Sequence, residues 1–132
     1  MNTTIRSTVL LVAMFGVDAS AQEANCQSTM SFTDAIAAMG AGVAAQPVFK
    51  GDGVIGFRLY NTHRSDQLTR QAIKSGNMMT HVCGVPASEI YVRGGSICCK
   101  SDASRGFEVT FQIAGETRKI VIRRDYDPSH EN

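Results

Sequence analysis

Four cysteines, Cys26, Cys83, Cys98 and Cys99, all lie downstream of a stretch that reads as an export signal, and nothing else constrains the fold as strongly. The signal consists of Arg6, an apolar run over residues 9–17, and then Ala19-Ser20-Ala21, an A-x-A cleavage pattern. Residues 1–21 are therefore expected to be removed, leaving a chain that starts near Gln22. That apolar run falls well short of the roughly 20 helical residues needed to cross a hydrocarbon layer. No later segment approaches that length, so the expectation is a periplasmic or secreted protein with no membrane span in the mature chain. An uncleaved anchor is the alternative. A lipid anchor on Cys26 is disfavoured, because Glu23-Ala24-Asn25 gives it no apolar lead-in.

What remains is roughly 110 residues, one domain with a modest core that covalent staples would help to hold. In an oxidising compartment four cysteines favour two disulfides, and three pairings are open. Joining the adjacent Cys98 and Cys99 would close a small strained ring, so Cys26 and Cys83 are expected to take one each. A zinc site is the other use of four thiols, but the chain has no C-x-x-C pair. The formal net charge is +1, with both signs scattered. This leaves no footprint for nucleic acid and no polybasic patch for a membrane surface.

Phe32, Ile36, Met39 and Val43 recur at helical spacing and predict a short helix within an N-terminal segment over residues 22–46. Ser31 is placed to cap it and Asp34 to meet its dipole, while Gly40 and Gly42 weaken its end. The main domain is expected over residues 47–124. Val48-Phe49 and residues 54–60 read as strands joined at Lys50-Gly51-Asp52-Gly53, with Ile55, Phe57 and Leu59 on the core face. Gly56, Arg58 and Tyr60 point the other way. Ser65-Asp66-Gln67 starts a helix that buries Leu68, Ala72 and Ile73 and leaves through Gly76; a strand over residues 78–82 follows. Ser88 could cap a helix carrying Ile90, Tyr91 and Ile97. Gly94-Gly95 would then sit in its middle and cost roughly 2 kcal/mol, so a short or broken helix is expected. Phe107, Val109, Phe111 and Ile113 alternate with polar residues, turn at Ala114-Gly115-Glu116, and return with Ile120 and Ile122 inward as a hairpin. Residues 125–132 form a polar, flexible tail. The fold class is α+β.

Two segments carry a likeness: Gly56-Phe57-Arg58-Leu59, and the run from Gly76 to Gly84 with Met79 and Val82 at its apolar positions. Their order resembles the PDZ domains of bacterial envelope proteins, most nearly that of the C component of the type II secretion system. There a Gly-Phe-Arg-Leu strand precedes a short helix and a Gly-Asp-x-apolar-x-x-Val-Asn-Gly segment. Here Asn77 stands for the acid and Cys83 for the asparagine. The secretion component also has a membrane anchor and a further periplasmic domain ahead of its PDZ, neither of which is expected here. The resemblance implies a partial β-barrel of five to six strands with two short helices, beside the N-terminal helix. It further implies that a polypeptide partner adds as a strand beside residues 57–61. Ile55, Gly56 and Phe57 would offer backbone amides to a carboxylate, assisted by Lys50, with Arg58 and Leu59 on the same strand. Ile90 and Tyr91 would form the opposite wall. Gly56 can equally be an ordinary strand glycine.

No catalytic constellation is present. His63, His81 and His130 lie outside any recognisable nucleophile or metal motif, and no phosphate-cradling loop precedes a helix. A non-enzymatic binding module without cofactor or metal is the reading that follows. Two alternatives stand beside it: a disulfide-stabilised structural or effector protein that leaves the groove unused, and a thiol oxidoreductase built on Cys98-Cys99. The sequence sets no oligomeric state.

Overall fold

The computed structural model describes residues 26–126. The residues read as an export signal and most of the polar C-terminal stretch, including His130, lie outside the described residues. Hairpin turns organise the sheet. Gly51 takes φ +63° between β2 (Ala44–Lys50) and β3 (Gly53–Tyr60). Ala114 and Gly115 take φ +52° and +81° between β7 (Gly106–Ile113) and β8 (Glu116–Arg123). In the β7–β8 turn left-handed residues at both central positions match the twist of the flanking strands. Cys83 and Gly84 do the same between β4 (Met78–Val82) and β5 (Val85–Pro86), at φ +55° and +76°.

These strands form one antiparallel six-stranded sheet in the order β2-β3-β4-β7-β8, with β5 alongside β4. A second sheet pairs β1 (Ser28–Ser31) with β6 (Ser96–Cys99). The main sheet has the expected strand count, whereas β1 and β6 were not foreseen. Each is four residues long, and only the facing pair Met30 and Ile97 is both buried and strongly apolar. That is too little alternation to stand out in a sequence.

Among the described residues there are also three short α-helices. α1 (Phe32–Met39) is capped as predicted, with the Asp34 amide donating to the Ser31 hydroxyl at 3.0 Å. α2 (Asp66–Arg70) is capped by Ser65, whose hydroxyl accepts from the Leu68 amide and also donates to the carbonyl of Met39, joining the two helices. α2 ends earlier than predicted. Ala72, not Gly76, takes the left-handed exit at φ +60°, and it is exposed. The Ile73 amide closes on Leu68 O and the Ala72 amide on Thr69 O, a paired C-terminal closure in which Leu68 and Ile73 both stay buried. α3 (Ala87–Val92) closes in the same way through Gly94 and Gly95, which bond Tyr91 O and Ile90 O. The double glycine thus ends the helix instead of interrupting it, and Ile97 falls in β6. Ser88 sits inside the first turn, and Pro86 occupies the cap without a side-chain bond.

A single cluster of buried residues runs through both parts of the chain. Met30, Ala35, Met39 and Val43 pack with Leu59, Phe111 and Ile122, so the core crosses the expected boundary at residue 46. Cys26 bonds Cys98 and Cys83 bonds Cys99, with Cα separations of 5.2 and 5.3 Å. Successive residues of β6 face opposite sides, so neighbouring cysteines are steered to different partners. The two bonds use all four thiols. Among the described residues no helix is long and apolar enough to cross a membrane.

Candidate functional site

The site is framed by the β2–β3 hairpin and α3. In β2 and β3, Val48 faces Gly56 and Phe49 faces Val54, which leaves Ile55 as an extra residue on β3. Such a bulge reverses the alternation of faces. Phe57 and Leu59 are buried as predicted. Upstream of the bulge Val54 turns inward, and Ile55, predicted for the core face, is 43% exposed.

The margin of β3 predicted to receive a peptide is occupied. β2 pairs with β3 over its whole length, and on the other side Phe57 and Arg58 pair with Met79 and Met78 of β4. The Leu59 amide donates to Asn77 O at 3.1 Å, and the Gly76 amide donates to Leu59 O at 2.7 Å. Gly56 is tightly enclosed by the protein itself. A Cβ there would lie 2.5 Å from Met78 Cγ and 3.0 Å from the Met79 carbonyl oxygen. Arg58 donates to Gly76 O at 2.9 Å, tying the hairpin to the turn before β4. Lys50 is exposed at the end of β2.

Two strands end the sheet, β2 and β8. Gln67 and Gln71 bond backbone groups of Val121 and Arg123 in β8, whereas among the described residues no strand lies along the outer side of β2. Since the backbone groups of Leu59 point to β4, strand alternation sends those of Phe57 the same way and those of Gly56 and Arg58 toward β2. Gln46 and Val48, opposite Arg58 and Gly56, therefore bond inward. Ala45 and Pro47 are left facing outward. Pro47 contributes a carbonyl there but has no N–H, the arrangement in which proline is tolerated in an edge strand.

Beside this margin lies exposed apolar surface. Phe49 is 54% exposed and meets Tyr91, 49% exposed, edge to face with ring centroids 5.5 Å apart. Val92 is 84% exposed. Of the predicted site residues, Phe57, Ile90 and Tyr91 do come together, around a hollow of about 190 Å³ bounded also by Phe32 and Gly94-Gly95. Phe32 stacks on Phe57 with centroids 4.3 Å apart. The start of α1 thus forms one end of this hollow, a contribution the sequence reading missed. Phe49, Pro47 and Val92 were missed as well, although a proline inside a strand pattern is a sequence signal for an edge.

Electrostatics add little here. His63 is exposed, and His81 is half-buried elsewhere in the sheet. Asp102, also away from the hairpin, has its carboxyl held below the usual range, chiefly by the backbone N–H of Ser104, which donates at 3.0 Å.

No protein-family description matches the chain, and no curated protein does. Among solved structures the chain is similar to the PDZ domain of EpsC from Vibrio cholerae, residues 219–305, with a TM-score of 0.46 and 17% identity over 61% of this chain and 92% of that one.

Proposed function

We propose that this chain is an exported, non-enzymatic protein-binding module that receives a polypeptide segment by strand addition along β2. One observation carries the reading: among the described residues the outer edge of β2 is unpaired, and it lies beside the exposed Phe49–Tyr91 pair. Backbone groups at Ala45 and Pro47 would supply the ladder, and the aromatic pair with Val92 would supply apolar contact. Export to the periplasm or beyond agrees with the use of all four cysteines in disulfides. A place beside type II secretion machinery rests on the Gly56-Phe57-Arg58-Leu59 likeness, and co-purification from envelope extract tests it.

Peptide-library panning on the purified protein tests the binding itself. Enrichment of extended apolar segments, lost in Phe49→Asp and Tyr91→Ala variants that still fold, is the expected result. Failure to enrich any peptide overturns it. Pro47 favours a second reading, because an edge strand lacking its central outward donor is guarded against pairing. In that case the chain is a stapled body whose edge is kept silent, and no peptide is enriched.

A further inference from the structure

A cleft of about 530 Å³ opens where two strands of the main sheet fall out of step. In β3 the extra residue is Ile55. In β4 the register to β7 jumps between Met79 and His81, leaving Thr80 without a partner. Both unpaired residues line the same cleft. Bulges re-aim side chains and gather beside functional sites.

The polar wall consists of Thr80, His81, Ser88, Thr110, Gln112 and Thr117, and the apolar wall is formed largely by Val54, Ile55 and Pro86. Among the described residues no Lys, Arg, Asp or Glu lines it. Part of the polar set is already engaged. Thr80 Oγ1 lies 2.8 Å from His81 Nδ1, and Thr117 Oγ1 donates to Gln112 Oε1 at 3.1 Å. Among the described residues His81 Nε2, Gln112 Nε2 and Ser88 Oγ are left with no protein partner.

We infer that this cleft binds a neutral, polyhydroxylated ligand, a segment of an uncharged oligosaccharide. The chemistry of the walls selects for that class. An ionic ligand would leave water and meet no opposite charge, at a desolvation cost nothing here offsets. Side-chain hydroxyls both donate and accept, an amide offers one group of each kind, and an imidazole nitrogen does either according to tautomer. They therefore suit sugar hydroxyls, which do both. Val54, Ile55 and Pro86 give the C–H face of a sugar ring an apolar surface to lie on. A peptide added as a strand would need a long, regular unpaired margin; here β4 skips only Thr80, and upstream of Phe57 β3 lacks a β4 partner only over residues 53–56, which the bulge at Ile55 interrupts.

Amide chemical shifts of the purified protein, followed during titration with a panel of uncharged oligosaccharides that includes maltotriose and the trimer of N-acetylglucosamine, test the inference. Saturable shifts at Ile55, Thr80, His81 and Ser88 are expected. Ser88→Ala and Gln112→Ala should each weaken binding by about fivefold, the effect of one hydrogen bond, with the unfolding temperature nearly unchanged. The inference is overturned if no sugar in the panel gives a saturable shift, if the shifts fall outside the cleft, or if both variants bind as the parent does. A neutral peptide that shifts these residues where the sugars do not also overturns it.

Discussion

β2 and β3 are two strands of one hairpin, yet they meet opposite environments. β3 is paired on both sides near Phe57 and buries Val54, Phe57 and Leu59, while β2 has no outer neighbour among the described residues and no fully buried residue. The difference shows what the hydrophobic-Gly-hydrophobic pattern encodes in this chain. Gly56 is small because Met78 and the Met79 carbonyl press on it from within the protein. Backbone approach is close there as expected, but the approaching chain is β4, not a partner.

Gly56→Glu probes that contrast most severely. A side chain at this position must displace Met78 or part the two strands, and it carries a charge into buried surroundings. We expect a loss of at least about 3 kcal/mol, with unfolded or insoluble protein as the outcome. A soluble Gly56→Glu variant with an unfolding temperature near the parent's would mean that β3 and β4 are not packed as described.

Truncations on the two strands should separate next. Leu59→Ala removes a fully buried side chain and is expected to cost about 3 kcal/mol. Phe49→Ala removes a larger side chain from β2 but should cost only about 1 kcal/mol, chiefly the edge-to-face contact with Tyr91. Denaturant titration of both variants gives the ratio, and equal losses would contradict the exposure of β2. Under the proposed function Phe49→Ala nonetheless has the larger effect on peptide affinity.

Much of this architecture was legible because local chemistry and tertiary structure agree. Ser31 and Ser65 cap the helices they were expected to cap, and the alternation from Phe107 to Ile122 yields the terminal hairpin. Elsewhere the two diverge. α2 and α3 close by the same hydrogen-bond pattern, but α3 uses Gly94 and α2 uses Ala72, so the usual glycine signal marks the end of only one. Cys83 likewise takes a left-handed turn position where asparagine is favoured, a departure visible in the sequence whose role, a bond to Cys99, is set by a distant strand. The candidate site was the least legible part. Burial patterns rank Phe57 and Leu59 correctly, but which margin of a strand stays open depends on pairing order, and Ile55 changes face only because of a bulge.

Pro47 allows the gentlest and sharpest comparison. It faces Phe57 with its nitrogen turned outward, so replacing it removes no bond within the hairpin. Pro47→Ala should lower stability by only about 0.5 kcal/mol through the freer unfolded chain. It also creates an outward N–H in the middle of the open margin. If partners pair along β2, that donor should tighten peptide binding by about fivefold, or promote concentration-dependent self-association visible by sedimentation. Opposite Pro47, at Phe57, β3 is already paired on both sides, so the response is specific to β2. An unchanged peptide affinity together with a strictly monomeric variant would place recognition somewhere other than this edge.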